Sequence, residues 1–356
     1  VPSADVHAPR SAPPPAPAQP HDAAAAGRLN DAHGRVIRDV RLSITDRCNY
    51  RCIYCMEPDH RYMPRMSLLS ANEYARVARI LRGFGIDRLR VTGGEPTLYR
   101  ELDPLIDALG GMGFADMSMT TNGSLVTAER AVRWRAGGLN RLTFSLDTLR
   151  ADRFLSITRA RSGHPDDLQR AIMVARAAGL DPIKINAVIM RGINDDECAD
   201  FADFARTHDV DVRFIEWMPL DSGGRWDRRV VVPASEIRQR IEGRHPLVPA
   251  RQRDKSETAR NFRFADGAPG RIGLIAPVTQ NFCGACSRLR ITADGKIRPC
   301  LFSHQEWDLR PLLRSGATDD ELRAFIVDAV WQKQAGHGID AADFRPPERG
   351  MSAIGG

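Results

Sequence analysis

Six short apolar segments, separated by stretches of helical period, set the limits on what this chain can fold into. Val40, Leu42 and Ile44 alternate with polar neighbours just after Val36, where order is expected to begin. Further strands are predicted at 89–92, 117–120, 142–146, 183–190 and 212–215. Helices are predicted around 70–82, 101–109, 127–136, 166–178 and 195–207, the first capped by Ser70 with Glu73 at its third position. Such alternation gives a parallel sheet with crossover helices. Six units are too few for an eightfold barrel, so the predicted fold is α/β: a partial (β/α)6 TIM-like barrel with one side left for another element to cover.

In that architecture ligands bind at the C-terminal ends of the strands. The polar and glycine-rich clusters fall there: Cys48 to Cys55, Gly93-Gly94-Glu95-Pro96, Thr120-Thr121-Asn122-Gly123, Ser145-Leu146-Asp147, Lys184-Ile185-Asn186 and Glu216-Trp217-Met218-Pro219. On either side the composition changes. Residues 1–34 hold seven prolines and ten alanines and read as a disordered tail. Residues 35–220 form the barrel. Residues 221–340 form a C-terminal domain with a short helix near 234–241, a hairpin turning at Asp294-Gly295 and a helix over about 318–334. Residues 341–356 are a tail ending in Gly355-Gly356.

The chain carries seven cysteines, six of them in two triplets. That pattern fits metal centres better than a disulfide scaffold, since each triplet would leave one thiol unpaired. Cys198 stands apart and reads as a small buried hydrophobe. Cys48, Cys52 and Cys55 have the spacing C-x3-C-x2-C. Three thiolates in one short loop can hold three irons of a cubane and leave the fourth open to a small molecule. Tyr54 beside them can pack against a bound adenine. The alternative is a zinc site completed by His60.

Cys283, Cys286 and Cys300 have the spacing C-x2-C-x13-C, and the hairpin can return the third to the first two. A second open iron and a zinc site completed by His304 both fit this pattern. Arg288 and Arg290 alternate on a strand and face the same way. Arginine suits phosphate because its fork matches two oxygens. Arg41, Arg90, Lys184 and Arg213 lie on or beside strand ends, and a triphosphate would satisfy them together. A lysine on a strand, such as Lys184, is costly unless paired or facing a ligand.

The net charge of +6 does not by itself assign a nucleic-acid partner. Five tryptophans and five tyrosines offer no aromatic–basic repeat for stacking bases. No apolar run approaches the roughly 18 residues of a membrane span, and the N-terminus lacks the apolar core of a signal peptide. The expectation is a cytoplasmic protein with no membrane or nucleic-acid partner.

The C-x3-C-x-Y-C motif, with Gly93-Gly94-Glu95-Pro96 after the second strand, resembles the radical S-adenosylmethionine superfamily. That resemblance implies a 4Fe–4S cluster on Cys48, Cys52 and Cys55 whose open iron takes the amino and carboxylate groups of S-adenosylmethionine. It also implies Gly94 and Glu95 at the methionyl amine, Thr121 and Ser145 at the methionyl carboxylate and ribose, and Met218 at the adenine. From about residue 35 onward the chain resembles the molybdenum-cofactor GTP 3',8-cyclases, through residues 37–49, Gly192-Ile193-Asn194-Asp195-Asp196, Arg213-Phe214-Ile215-Glu216, Asn281-Phe282-Cys283 and the terminal glycine pair.

The narrower resemblance implies conversion of GTP to 3',8-cyclo-7,8-dihydroguanosine 5'-triphosphate on the way to molybdopterin. A 5'-deoxyadenosyl radical takes the ribose 3' hydrogen, the carbon radical attacks C8, and an electron and a proton complete the reaction. It further implies a second 4Fe–4S cluster on Cys283, Cys286 and Cys300 at the guanine edge. Arg41, Lys184, Arg288 and Arg290 are expected near the nucleotide, with Arg213 and Arg90 as further choices. Gly355 and Gly356 are expected to enter the active site. Arg88 stands where many relatives carry lysine. The partners implied are a reducing electron donor, a downstream molybdopterin-precursor synthase and a second copy of the chain as a homodimer. The alternative is another radical enzyme with an auxiliary cluster that acts on a peptide.

Overall fold

The computed structural model describes residue 20 and residues 27–220, 224–252 and 254–355. Strands β1 (Asp39–Ser43), β2 (Arg88–Thr92), β3 (Asp116–Thr121), β4 (Arg141–Ser145), β5 (Lys184–Ile189) and β6 (Asp211–Glu216) pair in parallel, each with the next. The predicted crossover helices are present as Ala71–Gly83, Leu102–Gly110, Ala128–Ala136, Pro165–Ala177 and Cys198–His208. The capping box of Ser70 and Glu73 starts the first of them. A helix the sequence reading did not expect, Ala151–Thr158, follows β4.

The period-2 pattern of the strands explains the layering. Val40, Leu42, Leu89, Val91, Leu142, Phe144, Ile185 and Phe214 point outward into one core shared with the helices. Their neighbours Arg41, Arg90, Thr120, Ser145, Asn186 and Arg213 point inward and line a cavity. A closed barrel fills its interior with apolar side chains. Here the interior is polar and charged, so it is built to be occupied.

The C-terminal extension supplies β7 (Leu247–Pro249), β8 (Arg260–Phe264), β9 (Arg271–Ile275), β10 (Arg288–Ile291), β11 (Lys296–Arg298) and β12 (Trp307–Asp308). It continues the sheet at both edges: β9 lies parallel to β6, and β10 lies parallel to β1. The strand order among the described residues is β12-β11-β10-β1-β2-β3-β4-β5-β6-β9-β8-β7. One buried carboxylate ties the extension to the barrel. Glu216, at the end of β6, accepts from the amides of Ala234 (2.9 Å), Val278 (2.9 Å) and Thr279 (3.0 Å).

The expected tail boundary at residue 34 needs correction. Leu29 is in the main core, and Asp31 is buried in an ion pair with Arg35 at 2.6 Å. The proline–alanine bias ends before this segment, and the bridge between Asn30 and Val36 folds it back on itself. The rest of the predicted tail, apart from residue 20, lies outside the described residues. No described helix is long and apolar enough to cross a membrane.

Candidate active site

Both cysteine triplets open onto one cavity. Cys48, Cys52 and Cys55 sit on the loop after β1, at the strand's C-terminal end; Cys283 and Cys286 precede β10, and Cys300 follows β11. All six are free thiols, as is Cys198, which is buried in the core with its Sγ 3.3 Å from the Asp195 carbonyl. Among the described residues no three Cys, His, Asp or Glu side chains converge on a single metal ion. His60 packs against the Tyr62 ring, and His304 meets the Arg345 carbonyl at 3.1 Å.

The first triplet suits a group that binds thiolates. Burial pushes its thiols up, Cys48 to about 11, Cys55 to about 12 and Cys52 well above the usual range. A cationic metal group would make thiolates favourable at such depth. In the second triplet burial raises Cys283. Burial also pushes Cys286 upward, but the charges of Arg288 and Lys333 prevail and hold it down to about 6. The Arg288 guanidinium donates to the Cys286 sulfur at 3.3 Å.

The turn after β2 is packed too tightly for side chains. A Cβ at Gly94 would stand 2.4 Å from the Arg47 carbonyl oxygen, and one at Gly93 would stand 2.5 Å from that of Thr45. The glycines therefore let the β2 turn lie directly against the cysteine loop. Glu95, 1 % exposed, is heavily engaged. Its Oε1 accepts from the Thr97 amide (3.0 Å), the Thr97 hydroxyl (2.6 Å) and the Thr121 hydroxyl (2.8 Å), and its Oε2 accepts from the Asn122 amide (2.7 Å). Thr121 also accepts from the Gly123 amide. Both side chains line the cavity, but most of their bonding capacity joins the ends of β2 and β3.

Tyr54, Ser145 and Met218 also line the cavity. Tyr54 does more than offer a ring face: its hydroxyl donates to Asp147 Oδ2 at 2.9 Å. Asp147 Oδ1 accepts from the Val188 amide at 2.9 Å, which links the cysteine loop to β5. Burial raises the Asp147 carboxyl to about 6. Asp147 and Asn186 were legible as polar strand-end residues, yet no motif assigned them a role. Asn186 lines the cavity, and its side-chain oxygen is buried without a partner. His337 also lines the cavity and gave no sequence signal.

The barrel interior carries charge in two tiers. The lower tier is paired: Arg88 with Asp39 (3.5 Å) and Asp254 (2.7 Å), Arg271 with Asp211 (2.7 Å), and Arg141 with Asp116 at 2.5 Å. Lys184 belongs here, 4.0 Å from Asp211, and does not line the cavity. Asp211 faces Lys184 in register on the neighbouring strand, and both its oxygens already accept from Arg271 at 2.7 Å. Arg88 is likewise occupied.

The tier above consists of Arg41, Arg90, Arg213 and Arg290, all lining the cavity. Among the described residues none of these four guanidinium groups has an ion-pair partner within 4.0 Å. Burial, reinforced by neighbouring cations, lowers all four, with Arg90 at about 9 and Arg213 and Arg290 at about 10. Such a set favours a bound anion.

The C-terminal segment reaches the cavity. Met351 and Ser352 line the cavity. Gly355 sits at φ +85°, where a Cβ would lie 2.7 Å from that of Ser43. Gly356 lies outside the described residues.

Comparison with known proteins agrees with this geometry. The chain matches the Radical SAM superfamily over residues 42–205 and Molybdenum Cofactor Synthesis C over residues 210–339. It is 43 % identical to a GTP 3',8-cyclase of Streptomyces coelicolor, covering 92 % of this chain and 96 % of that protein. It is 44 % identical to a GTP 3',8-cyclase of Rhodopirellula baltica, covering 92 % of each. In fold it is similar to Streptococcus suis SuiB bound to precursor peptide SuiA, with a TM-score of 0.62 at 14 % identity, over 89 % of this chain and 76 % of that one. The superfamily implies S-adenosylmethionine and a 4Fe–4S cluster. The chain belongs to the GTP 3',8-cyclase family of radical S-adenosylmethionine enzymes.

Proposed function

We propose that this protein converts GTP to 3',8-cyclo-7,8-dihydroguanosine 5'-triphosphate, using two 4Fe–4S clusters, one on each cysteine triplet. The observation that carries the reading is the unpaired arginine tier lying in the same cavity as both triplets. When bound, S-adenosylmethionine and the first cluster supply the carbon radical that removes the ribose 3' hydrogen.

The chain's own residues orient the nucleotide. Arg41, Arg90, Arg213 and Arg290 take the triphosphate, and Arg288 lies beside Cys286, where the guanine edge meets the second centre. Ser145, Asn186 and Met218 line the wall on which S-adenosylmethionine rests. Glu95 and Asp147 hold that wall in shape, Glu95 by joining the ends of β2 and β3 and Asp147 by joining Tyr54 to β5. Gly355, packed beside Ser43 and Thr92, belongs to the C-terminal segment that limits water access to the reacting ribose.

The test is anaerobic. Protein loaded with iron and sulfide is reduced and given S-adenosylmethionine and GTP, and 5'-deoxyadenosine and cyclised nucleotide are measured together. Cys52→Ala is expected to abolish both products. Cys286→Ala is expected to leave part of the deoxyadenosine and remove the cyclised nucleotide. Deoxyadenosine without cyclised nucleotide from the unaltered protein would reject the substrate.

A further inference from the structure

The segment ahead of β1 is tied to the second cysteine triplet. The Arg35 guanidinium, fixed by Asp31 at 2.6 Å, donates to the carbonyl of Cys283 at 2.9 Å. It also donates to the carbonyls of Gln334 (2.7 Å) and Ala335 (2.9 Å), in the turn that carries Lys333. Lys333 is 3 % exposed, and its ammonium donates to the carbonyls of Arg288 (2.9 Å) and Pro299. Each cysteine of the triplet thus lies at or within two residues of a carbonyl held by a buried cation. Cys283 is held through its own carbonyl, Cys286 through that of Arg288, and Cys300 through that of Pro299.

The charge balance points the same way. Among the described residues Lys333 has no carboxylate partner, and its bonds run to neutral carbonyls. Removing an ammonium from water costs several kcal/mol unless negative charge lies nearby. Burial lowers the Lys333 pKa, and the groups that oppose this are Cys286 and Cys300. Thiolates of a loaded centre supply the missing negative charge.

We infer that Lys333 and Arg35 are positioning residues for the second cluster, fixing its three cysteine segments and setting one positive charge behind its thiolates. This rests on the reading that Cys283, Cys286 and Cys300 hold a cluster.

The test uses the full chain carrying Cys48→Ala, Cys52→Ala and Cys55→Ala, so that any iron bound belongs to the second centre. After anaerobic loading and desalting, iron per chain, the midpoint potential and far-ultraviolet circular dichroism are measured. Lys333→Met is expected to lose at least half of the parent's iron while keeping its circular dichroism. The cluster that remains is expected at a more negative potential, because a positive charge that favoured the added electron is gone. Arg35→Gln is expected to lose iron as well, and Lys333→Arg to retain more than Lys333→Met.

Parental iron and potential in both Lys333→Met and Arg35→Gln would overturn the inference. Collapse of circular dichroism in Lys333→Met would also overturn it, making Lys333 a residue of the fold at large. A parent that takes up no iron would reject the second cluster itself, a failure separate from an iron-loaded parent with unaffected variants.

Discussion

Arg41 on β1 and Arg290 on β10 are direct partners across the parallel ladder, so two guanidinium groups, that of Arg290 buried, share one site. Burial lowers the Arg41 guanidinium most, and the charge of Arg290 lowers it further. The arrangement is unfavourable in the free protein and is relieved by a polyanion. Arg41→Met is therefore expected to act in opposite directions on two measurements. GTP binding should weaken by about 10- to 100-fold, the worth of a lost charge-assisted contact. The ligand-free protein should gain about 1 kcal/mol in denaturant unfolding, because a like charge is gone. Weaker GTP binding with lower stability would mean that Arg41 holds the fold instead.

Lys184 gives a pH signature. Burial, with Arg213 and Arg141, outweighs the distant Asp211 carboxylate and lowers its ammonium to about 6, which favours the neutral amine at pH 7.5 in the free protein. A triphosphate in the tier above favours the charged form and raises that value. GTP binding is then expected to take up a proton at pH 7.5 and to weaken as pH rises toward the bound-state value. Calorimetry in buffers of different ionisation enthalpy reads the proton directly. Lys184→Met should abolish the uptake.

Glu95 joins two strand ends by accepting four hydrogen bonds. Glu95→Gln places an amide NH2 against donors at one of those oxygens. The expected loss is about 1–3 kcal/mol in unfolding free energy, together with weaker S-adenosylmethionine binding, since Gly94 and the cysteine loop share this turn. Unchanged stability in guanidinium titration would contradict the bridging role.

Gly355 packs against Ser43 at a positive φ. Gly355→Ala is expected to lift the tail tip from the mouth, since the new Cβ has no room. Deoxyadenosine formation should persist while cyclised nucleotide falls at least tenfold. Equal yields from the variant and the unaltered protein would remove the tail from the reaction.

The six barrel strands were legible because each alternates apolar and polar residues and ends in a polar or glycine cluster. The edge strands were not. β8 and β9 lie in a stretch rich in arginine, and their pairing is dictated by the open edge of β6. The six cysteines and most of the arginines could be placed from spacing and strand position. Lys184 could not, because its partner Asp211 is set by the β5–β6 register, which a sequence does not display. Leu29, Asp31 and Arg35 escaped notice because an alanine-rich stretch masks where packing begins. The carbonyls that Arg35 reaches are about 250–300 positions away, at Cys283 and Ala335.

The central claim is that GTP lies between the two thiol triplets with its ribose toward the first. The most direct measurement is mass spectrometry of 5'-deoxyadenosine formed from GTP deuterated at the 3' position. Transfer of one deuterium into deoxyadenosine, with cyclised nucleotide appearing alongside, is the result expected. Unlabelled deoxyadenosine accompanied by unchanged GTP would contradict it.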